Sequence, residues 1–326
     1  MSIIVAEALE KTYPGPVEAV RGISFSVEEG EIFALLGPNG AGKSSTVRML
    51  ATLARPTAGR AMVAGHDTVR EPAAVRREIG YVAQSSTVDE QLTGVENLRL
   101  QGRLFGMRGA ALRQRADALL GLLDLEEAAG RLARTYSGGM RRRLDLAMGL
   151  IHRPRVLFLD EPSAGLDPES RATLWSEVTR LAREDGITVL LTTHYLEEAD
   201  RYARRVAIVD KGRIVAEGTP AELKARLEGD AVDIRLGDAA AVAAAQARLG
   251  GLDGIRKTLV DGTALHIRVP DGARAIPAIV AALDGVPIEE VTLSRPSLDE
   301  VYLSLTGRRF AEADAAGATG NGSHRS

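Results

Sequence analysis

Three short stretches hold residue types that could do chemistry on an anion. The first is GPNGAGKS, residues 37–44, which fits the pattern G-x-x-x-x-G-K-[ST]. Gly37, Gly40 and Gly42 let the backbone curl so that N–H groups face phosphate oxygens, with Pro38, Asn39 and Ala41 completing the loop. Lys43 would reach the β- and γ-phosphates of a nucleotide, the Ser44 hydroxyl would ligate Mg²⁺, and Ser45 continues the same turn. The second stretch is RVLFLDEP, residues 155–162, an apolar strand ending in two acids. Asp160 would hold Mg²⁺ through water. Glu161 then acts as general base or orients the water that attacks the γ-phosphate. The third is YSGGM, residues 136–140, where a hydroxyl and two glycines open the helical segment RRRLDLAMGLI. Such an opening suits an anion, because a helix N-terminus presents unpaired N–H groups and positive dipole. A chain that already has a phosphate loop thus carries a second such feature downstream.

The surrounding pattern supplies the elements that must hold these groups. Residues 3–228 alternate strand-like and helix-like segments, which predicts an α/β domain around a largely buried sheet. RGISFSV, EIFALL and IGYVAQ read as strands, and VLFLD and ITVLLTT as fully buried ones. The phosphate loop falls between EIFALL and the helical SSTVRMLATL, where its mechanism requires it. From about 93 to 152 the strand signals stop and three helices are expected, from GVENLRLQGRLFG, ALRQRADALLGLLDL and MRRRLDLAMGLI. After residue 230 the texture changes again. Residues 231–307 read as strand, helix, strand, strand, helix, strand, the split βαβ arrangement of ferredoxin-like domains, followed by a helix capped by Ser297. The tail 311–326 is small and polar, and disorder is expected there.

A phosphate loop, an acid-ended strand and an S-G-G helix opening upstream of that strand resemble the ATP-binding cassette (ABC) family. The resemblance implies an ATPase using ATP and Mg²⁺, with a helical arm carrying the S-G-G signature. It also implies that YSGGM serves not its own phosphate loop but that of a second copy. Cassettes of this family pair head-to-tail, and Ser137, Gly138 and Gly139 would close on the partner's ATP. The usual form is L-S-G-G-Q, so Tyr136 and Met140 depart from it, and no role transfers to the last position. The same resemblance implies that Tyr13 stacks on adenine, that Gln84 contacts Mg²⁺ and water, that Asp167 in SAGLD crosses the dimer interface, and that His194 lies near the γ-phosphate. Catalysis is thereby assigned to Glu161, His194 and Lys43.

Composition narrows the setting. The 326 residues include 45% hydrophobic and 26% charged residues with a net charge of −3, an ordinary globular balance that gives no electrostatic reason to expect a nucleic-acid partner. There is no cysteine, hence no disulfide and no cysteine metal site. The N-terminus MSIIVAEALEK lacks the basic and apolar regions of a secretory leader, and the apolar runs are too short to span a membrane. A single cassette with YSGGM and the tail PSLDEVYLSLTGR resembles the ATP-binding subunits of the daunorubicin/doxorubicin-resistance type. That implies a peripheral protein on the cytoplasmic face of the membrane, joined to a separate transmembrane permease and exporting antibiotics or other hydrophobic compounds. Exporters of ions, lipids or polysaccharide share much of the pattern. A non-transport ABC ATPase acting on nucleic acid or ribosomes is the competing class.

Overall fold

The computed structural model describes residues 1–15, 17–227, 229–294 and 296–320, with 316–320 as backbone only; the expected disorder at 321–326 lies outside these residues. Two compact units are present, Met1–Glu217 with Asp314 onward, and Gly218–Ala313. The boundary expected near 228–231 therefore falls earlier. The short helix after Thr219 belongs with the second unit, because its Leu223 is fully buried and the helix packs against a later helix of that unit.

The first unit starts with β1 (Ser2–Tyr13), β2 (Val17–Glu28) and β3 (Ile32–Leu36), then α1 (Lys43–Leu50), β4 (Ala58–Val63), β5 (His66–Asp67), α2 (Pro72–Glu78) and β6 (Ile79–Val82). The helical arm follows as α3 (Gly94–Leu104), α4 (Gly109–Leu122) and α5 (Gly138–Leu150). The chain returns to the sheet with β7 (Val156–Asp160), α6 (Pro168–Glu184), β8 (Thr188–Thr193), α7 (Leu196–Tyr202), β9 (Arg205–Asp210) and β10 (Arg213–Gly218). One sheet has six strands in the order β10-β9-β3-β8-β7-β6, with β9, β3, β8, β7 and β6 running parallel. Every residue of β3, β7 and β8 is buried, as expected of central strands covered on both faces. Each fully buried Leu or Val there contributes about 1.5–3 kcal/mol. Parallel strands present their C-terminal ends on one edge, where the chain must turn back through a loop. Gly37, Glu161 and His194 all follow such ends.

A second sheet, antiparallel in the order β2-β1-β4-β5, was not foreseen as such from the sequence. The segment AEALEK in β1 consists of good helix formers, but pairing on both sides, to β2 and to β4, overrides that preference.

The second unit contains α8 (Pro220–Ala225), β11 (Asp230–Leu236), α9 (Ala239–Leu249), β12 (Lys257–Asp261), β13 (Ala264–Val269), α10 (Gly272–Ala282), β14 (Ile288–Ser294) and α11 (Leu298–Thr306). Its strands pair antiparallel in the order β12-β13-β11-β14, the ferredoxin-like order that the sequence predicts. Val242, Ala245 and Leu249 of α9 and Ile279 and Leu283 of α10 cover Val232, Ile234, Leu265 and Ile267 of the sheet. Ser297 caps α11, its hydroxyl accepting from Glu300 N at 3.3 Å. The expected disorder from residue 311 is not what the structure has up to residue 320, since α12 (Phe310–Gly320) is helical, consistent with the high helix propensity of FAEADAA.

Candidate functional site

The phosphate loop is held by close packing against neighbouring backbone. A Cβ at Gly37 would lie 2.2 Å from Val209 O, and one at Gly42 would lie 2.3 Å from Ala19 O at a φ of +105°, so neither position tolerates a side chain. Behind the loop, the Lys43 ammonium is 4% exposed and donates to the carbonyls of Gly37 at 2.6 Å and Pro38 at 3.0 Å. It also lies 3.6 Å from Glu161 Oε1. Burial pushes the Lys43 pKa down, and the attraction of Glu161 only partly offsets it.

Glu161 gathers the other groups. Its Oε2 accepts from Gln84 Nε2 at 3.1 Å and lies 3.3 Å from His194 Nδ1, a charge contact off the line of a well-formed hydrogen bond. Burial pushes its carboxyl up, but the neighbouring His194 and Lys43 outweigh that, and the net pKa lies below the ordinary value. The same contact raises the His194 pKa against the opposing effect of its burial. The backbone of Glu161 sits at a φ of +46°, rare for a non-glycine residue, and is fixed there by hydrogen bonds from its N–H to Thr192 O and Oγ1 at 3.2 and 2.9 Å.

Next to it, Asp160 Oδ1 accepts from Ser44 Oγ at 2.8 Å and Thr192 Oγ1 at 2.6 Å. A hydroxyl and a carboxylate meeting beside the phosphate loop are the hard-oxygen donors that Mg²⁺ takes when substrate phosphates supply the remaining ligands. The Gln84 amide nitrogen is directed at Glu161, which leaves its carbonyl oxygen as the atom available to a cation. Tyr13 ends β1 at the outer side of the loop, with its hydroxyl 3.4 Å from Ser45 Oγ and Lys11 Nζ 4.9 Å from its ring centre.

The structure therefore brings Lys43, Ser44, Gln84, Asp160, Glu161 and His194 together. Ser137, Gly138, Gly139 and Asp167 have their contacts elsewhere. Ser137 caps α5, accepting from Met140 N at 3.2 Å. Gly139 is buried against Ser170, whose Oγ would be 2.3 Å from an added Cβ, whereas a Cβ at Gly138 meets nothing within 4 Å. Asp167 caps α6, accepting from Ser170 N at 2.9 Å. Tyr136 is 3% exposed and donates its hydroxyl to Ala128 O at 2.7 Å, so the departure from leucine anchors the loop before the signature.

Sequence reasoning missed two supports. Thr192 ties Asp160 to Glu161, as above, and had read only as part of a buried strand. Arg142, in a run of three arginines within a segment that reads only as helical, is buried and donates to Pro162 O at 2.7 Å, to Asp160 O at 3.2 Å and to Ala83 O. It thus ties the signature helix to the residue before Gln84 and to the residues on either side of Glu161. Asp145, one turn on, accepts from Thr87 N at 2.9 Å and Thr87 Oγ1 at 3.0 Å. The signal was the spacing of Arg142, Asp145 and Gly149, which share one helical stripe with buried neighbours.

Comparisons with known proteins agree with this geometry. The family described as ABC transporter matches residues 20–164, and that described as ATP-binding protein DrrA1-3-like, C-terminal domain, matches residues 218–306. The chain is 49% identical to the daunorubicin resistance ATP-binding protein DrrA3 of Streptomyces coeruleorubidus, over 95% of this chain and 98% of that one. It is 46% identical to the daunorubicin/doxorubicin resistance ATP-binding protein DrrA of Streptomyces peucetius, over 93% and 92% respectively. Among solved structures, the ATP-binding cassette MJ0796, a dimer in a post-hydrolysis state bound to ADP and Pi, superposes with a TM-score of 0.61 at 28% identity, covering 66% of this chain and 98% of that chain. With a phosphate loop, an acid-ended strand and an accessory domain of matching kind, the chain is an ABC ATPase and belongs to the daunorubicin/doxorubicin-resistance family of ATP-binding proteins.

Proposed function

We propose that this chain is the ATP-hydrolysing subunit of an exporter that removes antibiotics or other hydrophobic compounds through a separate transmembrane permease, working from the cytoplasmic face of the membrane. The observation that carries the catalytic half is the Glu161 carboxylate, in reach of Lys43, Gln84 and His194 at once. The names of the relatives support the cargo class. A peripheral location is in keeping with the helices, none of which, among the described residues, is long and apolar enough to cross a membrane.

In this reading Lys43 swings from its carbonyl partners to the β- and γ-phosphates, and Tyr13 stacks on adenine. Ser44 and Asp160, with Gln84, would hold Mg²⁺, which when bound neutralises charge on the phosphate oxygens. Glu161 takes a proton from water as the water oxygen bonds to the γ-phosphorus and the bond to the bridging oxygen of ADP breaks. His194 steadies the γ-phosphate oxygens. The site is completed by Ser137, Gly138 and Gly139 of a second copy paired head-to-tail, with Asp167 at the junction. The contacts of Ser137 with Met140 N and of Gly139 with Ser170, away from Lys43 and Glu161 of the same chain, support this reading.

Mixing two inactive variants tests the shared site. Lys43→Ala disables a phosphate loop, and Gly138→Asp disables a signature at a position with open space, so that the isolated chain keeps its fold. A mixed dimer contains one site with an intact loop and an intact signature, and ATPase activity absent from either parent is expected to return. Full activity in a proven monomer, with a rate linear in protein concentration, would overturn the proposal.

A further inference from the structure

The phosphate loop already has an anion in it. Asp314, on α12, groups with the first unit, and its Oδ1 accepts from the backbone N–H of Asn39 at 2.7 Å. Asn39 is half-buried at the crest of GPNGAGKS, and its N–H is one of the donors that such a loop turns toward phosphate oxygens. A carboxylate there offers the same acceptor geometry and sign of charge as a phosphate edge. Its field extends beyond the one hydrogen bond. At Lys43 burial is the largest influence and lowers the pKa, with Asp314 among the charges that raise it. At His194 the Glu161 contact is the largest influence, and Asp314 adds to it in the same direction. The carboxylate is thus felt by both cations assigned to the nucleotide phosphates.

We propose that Asp314 is a built-in competitor for the phosphate cradle, so that ATP must displace the chain's own final helix in order to bind. The proposal rests on the reading of residues 37–44 as the nucleotide phosphate loop. Two negative groups cannot share the Asn39 N–H and the adjoining cations without strong repulsion, so helix-docked and nucleotide-bound states exclude each other. Apparent nucleotide affinity is then reduced by the fraction of molecules whose cradle is open. Since α12 is tethered to the same chain, the competition does not dilute away, and it sets a threshold of nucleotide concentration before cassettes can pair.

The test is a titration of the full chain with a fluorescent ATP analogue, comparing wild type with Asp314→Ala, Asp314→Asn and Lys43→Ala. Phe310 and Ala313 are buried and remain unchanged, so the substitution at the half-buried Asp314 leaves the packing of the helix intact. If the cradle is docked in most molecules, Asp314→Ala tightens binding by about five- to tenfold. Asp314→Asn, which keeps an acceptor but not the charge, falls between. Hydrogen exchange across residues 310–320 should rise when the nucleotide is added to wild type. Unchanged or weaker binding by Asp314→Ala, or exchange that falls with nucleotide, would overturn the proposal while leaving the phosphate-loop reading in place. If neither wild type nor Asp314→Ala binds, or Lys43→Ala binds as well as wild type, it is the phosphate-loop reading that fails, and the competitor with it.

Discussion

Replacing Glu161 by glutamine separates chemistry from binding. The amide has almost the same size and can still pair with Gln84, so the loop that holds position 161 at its unusual φ need not move. What disappears is a proton acceptor and a negative charge. The acceptor decides the rate. Losing a positioned general base costs about 10²–10⁴-fold, or about 3–5 kcal/mol of transition-state stabilisation. The charge decides the affinity. At 3.6 Å from Lys43, and with an effective dielectric constant of about 20, the direct attraction is about 5 kcal/mol before desolvation is counted. In wild type the γ-phosphate must compete with this attraction for the ammonium and also meets repulsion from the carboxylate. In the variant both obstacles are gone, so ATP affinity is expected to hold or improve while turnover collapses. Phosphate release under saturating ATP, together with equilibrium binding of a labelled nucleotide, measures the two independently. A kcat within tenfold of wild type would refute the assignment of Glu161. A loss of affinity in step with kcat would refute the charge argument even if the rate fell.

Two further outcomes follow from the supporting residues. Arg142→Ala leaves the carbonyls of Ala83, Asp160 and Pro162 without their buried donor, and a loss of about 3 kcal/mol or more is expected in chemical denaturation, with Arg142→Lys intermediate. An unchanged midpoint would refute the bracing role. His194 should titrate above the ordinary imidazole value of about 6.5, and Glu161→Gln should bring it back down, as followed by proton NMR of the ring. Because its folded pKa is raised, the stability it supplies relative to His194→Gln is complete below about pH 6.5 and is lost as pH rises through the folded value. A His194 pKa at or below the ordinary value would exclude the contact with Glu161.

The site was legible in the sequence because its chemistry sits in contiguous stretches. GPNGAGKS needs its glycines where backbone passes within van der Waals distance of other backbone, and LDEP needs a buried strand before its acids; both requirements constrain residue type at fixed spacing. The ferredoxin-like unit was legible for a related reason, since the alternation of apolar residues in VDIRL and ALHIRV fixes which face is buried. The antiparallel sheet built on β1 was not, because AEALEK is a strand only by virtue of the partners on both its edges. Arg142 gave no sign by residue type and only a weak one by its helical spacing, because its burial is decided by carbonyls that converge on it from residues 83, 160 and 162. Asp314 is the extreme case. A small polar tail has no local pattern that announces a ligand, and a carboxylate 275 residues along the chain from Asn39 becomes an occupant of the phosphate loop only through the fold. Sequence alone determined which groups can do the chemistry, since that depends on side-chain type and local backbone. Tertiary structure decided which of them meet, because distance and burial are set by packing between segments remote in the chain.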